Sequence, residues 1–385
     1  MRFEFATATR ILFGVGVVGE IESLVPELGR NPLLVTGRDP SRAGPVRTAL
    51  ERAGPTPLVQ SVATEPTVEW LREAVQGART ERRDCVISVG GGSAIDAGKA
   101  VAALLANPGD PLDYLEVIGR GQPLRSPSAP FIAVPTTAGT GAEVTRNAVL
   151  GSAEHGVKAS LRSAGMLPTL AIVDPQLTLG LPPHLTAQTG LDTLTQLIEP
   201  FVCRKANPIT DAFCRQGIPL VVRSLQQAFA DGMDLRARTD MALASLLGGL
   251  ALANAGLGAV HGFAAPIGGM FPAPHGAVCA TILPHAMKAN IEALRKRDPH
   301  GPGLARFQEL AELITGERDA AIEDGLAWVQ TLCQDLRVPS LSQWGVTASD
   351  GPALAAKAAR ANSMKANPID LTEQELVEIL ERAVG

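Results

Sequence analysis

The chain has 385 residues, which is enough for roughly two to three domains, and 45% of them are hydrophobic. Lys and Arg number 34 against 39 Asp and Glu, so the formal net charge is −5. The 10 Phe, 3 Trp and 1 Tyr leave few rings on which bases could stack. The composition therefore argues against a disordered chain and makes a nucleic acid a poor candidate for the partner.

The cysteines are odd in number, widely spaced and without any CxxC pair. They are Cys85, Cys203, Cys214, Cys279 and Cys333. The first residues include Glu4, where a secretory signal would have a long apolar run. We therefore expect a reduced, cytoplasmic enzyme rather than a disulfide scaffold or a zinc ribbon.

One segment could be mistaken for a membrane span, because no Asp, Glu, Lys or Arg occurs between Asp240 and Lys288. The segment nevertheless contains Asn254, three histidines and four prolines. Polar groups are costly in lipid, so we expect the buried centre of a helical domain and no membrane contact.

Short β-branched runs alternate with helical patterns up to about residue 183. The predicted strands are Pro32–Thr36, Pro57–Val62, Cys85–Val89, Phe131–Val134 and Ala171–Val173. The predicted helices between them are Ser41–Ala53, Thr67–Arg79 and Ile95–Leu105. This alternation predicts an α/β domain over residues 1–183, with a parallel, Rossmann-like sheet that is covered on both faces and binds ligands beyond the carboxyl ends of its strands.

After Pro182 and Pro183 the strand signal stops and Ala- and Leu-rich helical patterns follow. They are Leu185–Phe201, Pro208–Ala230, Asp234–Leu252, Leu304–Ile314, Ala320–Leu336, Ser349–Ala361 and Thr372–Val384. The sequence therefore predicts an all-helical second domain over residues 184–385.

Two glycine clusters compete as the binding site for a phosphate group. Residues 14–19 match GxGxxG after a strand-like Arg10–Phe13, and Asp39 lies twenty residues beyond Gly19. That motif alone is a weak signal, because the dinucleotide fingerprint needs its full βαβ context. The alternative is a simple turn that connects an outer strand to its helix.

The second cluster, Gly90 to Ser93, is better placed. It follows the strand Cys85–Val89 and opens a helix that Ser93 could cap, so its free N–H groups form an anion site. The loop at 135–143 follows the strand Phe131–Val134 in the same way and is rich in Thr and Gly. Two such loops predict one extended anionic ligand, and a dinucleotide fits better than a single phosphate.

Together these motifs resemble the iron-containing (group III) alcohol dehydrogenase family, within the dehydroquinate-synthase-like superfamily. The resemblance covers essentially the whole chain. The matching segments are Arg10–Gly16, Gly90–Ala100, Pro135–Thr145, Leu170–Thr178, Gly190–Glu199, Ala206–Ala212, Val260–Gly276, Ile282–His285 and Asn367–Pro368.

The resemblance implies an N-terminal dinucleotide-binding domain, a helical C-terminal domain, NAD(P) and one divalent metal ion. It also implies a small alcohol or aldehyde as substrate, and we expect a homodimer or a higher homo-oligomer. The residues carried over to the cofactor are Gly91, Gly92, Ser93, Asp96, Thr136, Thr137, Thr140 and Lys158.

The metal site implied by the resemblance is incomplete in this chain. Asp192, His261 and His275 match three family ligands, but Gln196 stands where the family has a histidine. Asp with two His suits Fe²⁺ or Zn²⁺, and Gln196 either ligates the metal weakly or bonds a metal-bound water. Ala265 stands where many members have a further histidine, and alanine has no group that could transfer a proton.

The segment after the strand Pro32–Thr36 bears on the choice of cofactor. In NAD-preferring relatives an aspartate follows this strand, whereas here Gly37 and Arg38 follow it, with Arg42 nearby. A missing carboxylate and two guanidinium groups favour a 2′-phosphate, so we expect NADP(H) over NAD(H). The alternative is that Asp39 takes the ribose.

The leading functional hypothesis is a metal-dependent oxidoreductase that transfers a hydride between NAD(P)H and a small alcohol or aldehyde, with Asp192, His261 and His275 as the catalytic set. A metal-independent reductase resembling maleylacetate reductase stays open, although Asp192 argues against it. A cofactor-binding relative with little activity also stays open. A lyase resembling dehydroquinate synthase is disfavoured, because segment 241–287 has no Lys or Arg for an acidic substrate.

Overall fold

The computed structural model describes residues 2–54 and 56–385. The chain divides into two compact units, which consist essentially of Phe5–Leu179 and Gly180–Gly385. Every strand in the described residues belongs to the first unit, and the second is helical. The predicted fold class, a parallel α/β part followed by an all-helical part, is confirmed.

The first unit is built on a six-stranded parallel sheet. Its strands are β1 (Arg10–Phe13), β2 (Pro32–Thr36), β3 (Leu58–Ser61), β4 (Cys85–Gly90), β5 (Phe131–Pro135) and β8 (Leu170–Val173), and their order in the sheet is β1-β8-β5-β4-β2-β3. Consecutive residues of β2 are all buried, which is the pattern of a strand covered on both faces. The predicted strands lie within a residue or so of these bounds.

Helices cover both faces of this sheet. They are α1 (Ile21–Leu28), α2 (Gly44–Ala53), α3 (Val68–Thr80), α4 (Gly92–Ala106) and the short α5 (Pro111–Tyr114). Leu33 and Val35 of β2 join one apolar core with α3 and α4, while Leu34 joins a second core with α1 and α2. Successive side chains of a strand point to opposite faces, so one sheet supports two cores. Short 3-10 helices lie at Val17–Glu20, Pro40–Ala43, Ala142–Val144, Ala164–Met166 and Pro175–Thr178.

An antiparallel hairpin that the sequence did not predict is formed by β6 (Asn147–Ser152) and β7 (Val157–Arg162). Alternate residues of β6 are buried, so this strand has no continuous apolar run to reveal it. The Oδ2 atom of Asp96 on α4 accepts a hydrogen bond from the backbone N–H of Val149 at 3.0 Å. The hairpin is therefore tied to the helix that opens at the glycine cluster.

The second unit packs helices against one another. They are α6 (Pro183–Val202), α7 (Pro208–Ala230), α8 (Leu235–Asn254), α9 (Ala259–Met270), α10 (His275–Arg297), α11 (Pro302–Thr315), α12 (Ile322–Asp335), α13 (Gly351–Arg360) and α14 (Glu373–Val384). Short 3-10 helices lie at Leu341–Trp344, Ala348–Asp350 and Ser363–Ala366.

The charge-free segment contains α9 and the first half of α10, two helices that the sequence did not predict. Pro266 lies inside α9 and Pro284 inside α10, and such prolines indicate breaks when only local propensity is considered. Most residues of both helices are buried. The helices form despite these prolines because the packing of buried side chains outweighs the loss of the backbone hydrogen bonds that proline cannot donate. In the described residues no single helix is long and apolar enough to span a membrane, although α8 and α9 pass that test as a pair bent by 95°.

Candidate active site

The glycine cluster lies where β4 passes into α4. The helix begins at Gly92, and Gly91 is its N-cap residue without any side-chain cap. The expectation that Ser93 caps this helix is wrong, because Ser93 is already inside the first turn. The first N–H groups of α4 have no side-chain cap, and such groups at a helix start bind anions.

The loop after β5 lies directly against this cluster. The N–H of Thr136 donates to the carbonyl oxygen of Gly90 at 2.9 Å. A Cβ atom on Gly92 would lie 2.7 Å from Thr140 Cγ2, and one on Gly91 would lie 3.3 Å from Thr137 Oγ1. The two predicted loops therefore form one surface, and only glycine allows this close approach at Gly92.

The end of β2 borders the same surface. A Cβ atom on Gly90 would lie 3.3 Å from the backbone nitrogen of Gly37. The chain runs from β2 outward to β3, then returns to β4 on the other side of β2 and continues to β5. The pair β2 and β4 is thus the topological switch point, where sheets of this kind bind ligands.

The residues that follow Gly37 differ in their exposure and in their hydrogen bonds. Arg38 is exposed, and Arg42 is half-buried. Asp39 Oδ1 accepts hydrogen bonds from the hydroxyl of Ser41 at 2.6 Å and from its N–H at 3.0 Å. These bonds hold the pKa of Asp39 below its usual range. Asp39 is therefore the N-cap residue of the short 3-10 helix Pro40–Ala43.

Two other predicted cofactor residues make structural contacts. Asp96 binds the hairpin through Val149 and lies 3.5 Å from the buried ammonium group of Lys99. Lys158 on β7 forms an ion pair of 2.6 Å with Glu65. These contacts fix the positions of both side chains in the first unit.

The GxGxxG motif lies away from the switch point. It follows β1, an edge strand whose sheet neighbour is β8. The N–H of Gly14 donates to Val173, and the N–H of Val18 donates to Asp174 Oδ2 at 3.2 Å. The motif therefore forms a turn between an edge strand and its helix, which is the alternative that the sequence left open.

A second group of chemically active side chains lies in the helical unit. Asp192 on α6, His261 on α9, and His275 and Cys279 on α10 place one potential ligand atom each within 4.8 Å of all the others. Asp192 Oδ1 lies 3.5 Å from His261 Nε2 and 3.7 Å from His275 Nε2. The structure thus brings together the three predicted metal ligands, and it adds Cys279, which the sequence analysis did not select.

The carboxylate of Asp192 is buried and incompletely paired. Its Oδ1 atom accepts no hydrogen bond from the described residues, although a buried carboxylate oxygen normally has a partner. Burial alone would raise the pKa of Asp192, but the imidazoles of His275 and His261 hold it below its usual range. An unpaired anionic oxygen between two imidazoles fits a divalent cation as the missing partner.

The pKa values of the two histidines are also shifted by the groups around them. Burial alone would lower the pKa of His261, but Cys279, Asp192 and Glu199 hold it well above its ordinary value. Cys279 and, to a smaller extent, Asp192 raise the pKa of His275, and although burial lowers it, the pKa is about 9. The cluster therefore stabilises positive charge at its centre, either as protons on the imidazoles or as a metal cation.

Glu199, which was not predicted as a site residue, holds His261 in place. Glu199 Oε2 lies 2.7 Å from His261 Nδ1, and Oε1 accepts the backbone N–H of Val260 at 2.7 Å. A carboxylate on Nδ1 leaves Nε2 free to face the cluster. The signal was present in the sequence, because Asp192 and Glu199 are seven residues apart and so lie on one helical face.

Gln196 and Ala265, which stand where many family members have a histidine, both lie one helical turn after a predicted metal ligand. Gln196 lies one helical turn after Asp192 and is buried, and its Oε1 atom has no hydrogen-bond partner in the described residues. Ala265 is exposed on α9, one turn after His261. The unpaired amide oxygen agrees with either predicted role of Gln196, toward a metal ion or toward a water molecule.

Comparison with known proteins identifies the family. Residues 8–175 match the model for iron-containing alcohol dehydrogenase, and residues 186–384 match the C-terminal model of the Fe-containing alcohol dehydrogenase family. The chain therefore belongs to the iron-containing alcohol dehydrogenase family, as the sequence motifs predict.

Individual relatives agree with this assignment over the full length. The chain is 37% identical to 1,3-propanediol dehydrogenase of Klebsiella pneumoniae, with 99% of this chain and 98% of the relative covered. Among solved structures, a 1,3-propanediol oxidoreductase superposes with a TM-score of 0.92 at 34% identity, and all of both chains is covered. Sulfoacetaldehyde reductase of Bifidobacterium kashiwanohense, solved with NAD⁺, gives a TM-score of 0.87 at 29% identity, with 100% of this chain and 99% of that chain covered.

Proposed function

We propose that this family oxidoreductase is a metal-dependent dehydrogenase that transfers a hydride between a nicotinamide nucleotide and a small primary alcohol or its aldehyde. The buried cluster of Asp192, His261 and His275, with its unpaired carboxylate oxygen, is the observation that supports a metal most directly. The activity of a relative, the 1,3-propanediol dehydrogenase of Klebsiella pneumoniae, supports the substrate class.

Each residue of the cluster has a definable task. Asp192 supplies the anionic oxygen, and His261 and His275 supply neutral nitrogen donors, a ligand set that suits Zn²⁺ or Fe²⁺. Glu199 accepts a hydrogen bond from the Nδ1–H group of His261, and this bond leaves the Nε2 lone pair available to the metal. When bound, a divalent cation supplies Lewis acidity toward the substrate oxygen.

The glycine loops serve the nucleotide. The N–H groups at Gly91, Gly92 and Ser93 bind the pyrophosphate at the start of α4, and the hydroxyls of Thr137 and Thr140 border the same surface. No side chain at Gly92 blocks the approach of the phosphates. The loops contribute binding and orientation, while the nicotinamide supplies the hydride chemistry.

The proposal is tested with the His261→Ala variant. We expect it to lose both the bound metal, measured by elemental analysis, and turnover of a panel of short alcohols and aldehydes. Fluorescence titration should show nicotinamide nucleotide binding that is close to wild type, because the glycine loops are unchanged. His300→Ala is the matched control, since His300 is exposed and distant in sequence from the cluster residues, and it should keep metal and turnover.

Two results would contradict the proposal. Full turnover of metal-free His261→Ala protein, or turnover that survives exhaustive chelation of wild type, would favour a metal-independent reductase. Tight nucleotide binding without turnover on any alcohol or aldehyde would favour a binding relative with little activity.

A further inference from the structure

We propose that the thiolate of Cys279 is a metal ligand in this chain and completes an Asp–His–His–Cys site. The inference rests on the metal centre of the proposed function and adds a donor that the sequence motifs did not indicate. Cys279 lies on α10 one helical turn after His275, so both side chains project from the same face of the helix.

The distances around Cys279 are close to those of a tetrahedral site. Its Sγ atom lies 3.6 Å from His275 Nε2 and 4.0 Å from His261 Nε2. With Zn–S near 2.3 Å and Zn–N near 2.0–2.1 Å, tetrahedral geometry puts such atoms about 3.5 Å apart. With zinc–oxygen and zinc–nitrogen bonds of about 2.0–2.1 Å, a tetrahedral site puts an oxygen and a nitrogen donor about 3.3 Å apart. In the structure Asp192 Oδ1 lies 3.5 Å from His261 Nε2 and 3.7 Å from His275 Nε2.

A second observation points to a cation at this point. Asp192 is 1% exposed, and its Oδ1 atom, which faces both histidines, has no hydrogen-bond partner in the described residues. A metal ion shared by the sulfur, the two nitrogens and the carboxylate satisfies all four groups together.

The other cysteines do not share this setting. Burial raises the pKa of the Cys333 thiol to about 12, and the thiol donates a hydrogen bond to the carbonyl oxygen of Ala280 at 3.7 Å. Burial likewise raises the pKa of the Cys203 thiol to about 11. In the part of the chain that the structure describes, Cys279 is the one cysteine that belongs to a potential metal-binding group.

A thiolate donor changes what the site prefers. When the metal binds, the Cys279 thiol gives its proton to solvent and the S–H bond is replaced by a metal–sulfur bond. Thiolates favour Zn²⁺ over harder oxygen-preferring ions, whereas a Gln oxygen is a weak neutral donor. Cys279 thus would supply the fourth donor of a family site in which Gln196 replaces a histidine.

The test uses Co²⁺ as a spectroscopic replacement in the full-length protein. We expect wild-type protein to take up one Co²⁺ per chain and to show both visible d–d bands and a near-ultraviolet sulfur-to-cobalt charge-transfer band. Cys279→Ser should lose the charge-transfer band, and Cys279→Asp should keep bound Co²⁺ without it. Cys333→Ser is the matched control and should retain both features, and circular dichroism checks folding of each variant.

Competition between Zn²⁺ and Fe²⁺ gives a second readout. The preference for Zn²⁺ over Fe²⁺, measured by anaerobic equilibrium dialysis, should fall in Cys279→Ser and stay unchanged in Cys333→Ser. Wild-type protein that binds Co²⁺ with d–d bands but without a charge-transfer band would overturn the ligand role of Cys279 and leave the metal centre intact. Wild-type protein that binds no Co²⁺, Zn²⁺ or Fe²⁺ would overturn this inference together with the proposed metal dependence.

Discussion

Glu199 and His261 lie on different helices, and a contact of 2.7 Å joins Glu199 Oε2 to His261 Nδ1. The other carboxylate oxygen accepts the N–H of Val260, so one side chain fixes both the imidazole and the first turn of its helix. Gly258 allows this approach, because a Cβ atom there would lie 2.8 Å from Glu199 Oε1. Glu199 is therefore a positioning residue for His261.

Replacement of Glu199 should weaken metal binding without removing any ligand. In Glu199→Ala the imidazole of His261 loses its orientation, and we expect the metal affinity to fall by about 10–100-fold, the usual range for such partners. Glu199→Gln keeps an acceptor oxygen and should recover most of that loss. Competition with a metal indicator measures both affinities, and an unchanged affinity in Glu199→Ala would show that the contact serves only the fold.

The space after β2 should decide which cofactor is used. We expect wild-type protein to have a higher kcat/KM with NADPH than with NADH, because Gly37 offers no carboxylate to repel a 2′-phosphate. Gly37→Asp should shift the ratio toward NADH by about 10–100-fold, the equivalent of a charge-assisted hydrogen bond of about 1.5–3 kcal/mol.

Two arginine variants distinguish a specific contribution of Arg38 to the preference for NADPH from an effect of positive charge in general. Arg38→Ala should lower kcat/KM for NADPH more than for NADH. Arg47→Ala removes an exposed guanidinium on α2 that pairs with Glu51 and should leave the ratio unchanged. A wild-type preference for NADH would contradict the prediction.

Restoring a histidine at position 196 should tighten metal binding. Gln196 is buried one turn after Asp192, and an imidazole nitrogen is a stronger donor than an amide oxygen. We expect Gln196→His to lower the Kd for Zn²⁺ by about tenfold, which corresponds to about 1.4 kcal/mol. Calorimetric titration of metal-free protein measures the change, and a weaker affinity in a folded variant would show that Gln196 does not face the metal.

Close packing of α4 on the sheet gives a stability prediction. A Cβ atom on Gly98 would overlap Ser88 Oγ on β4 and lie 3.0 Å from Phe131 Cε2 on β5. Gly98→Ala should therefore reduce the free energy of unfolding by about 1–3 kcal/mol, measured by urea denaturation followed by circular dichroism. Ser88→Ala in the same chain should recover part of the loss, because it removes the overlapping oxygen.

The control for this prediction is a glycine with open surroundings. Apart from its chain neighbours and the nearby backbone of its own helix, no described atom lies within 4 Å of a Cβ atom built on Gly44, at the start of α2, so Gly44→Ala should be neutral or slightly stabilising. Equal losses in Gly44→Ala and Gly98→Ala would mean that backbone conformation, and not packing on the sheet, sets the cost.

Local signals in the sequence determined the elements that need little tertiary context. The bounds of β2 (Pro32–Thr36) match their prediction because five consecutive apolar or β-branched residues are buried on both faces. The bounds of α7 (Pro208–Ala230) match because Asn207 accepts hydrogen bonds from the N–H groups of Ile209 and Thr210 at its start. Ordered motifs likewise sufficed for the family, and they selected Asp192, His261 and His275, whose ligand atoms lie together.

Tertiary structure alone decided what depends on contacts between distant segments. The hairpin of β6 and β7 forms through cross-strand pairing and its attachment to Asp96, and helices α9 and α10 persist through packing despite Pro266 and Pro284. Cys279 reads locally as one more apolar core residue. It becomes a potential ligand only because α6, α9 and α10 converge, since the distance between side chains on separate helices is set by their packing and by no local pattern in the chain.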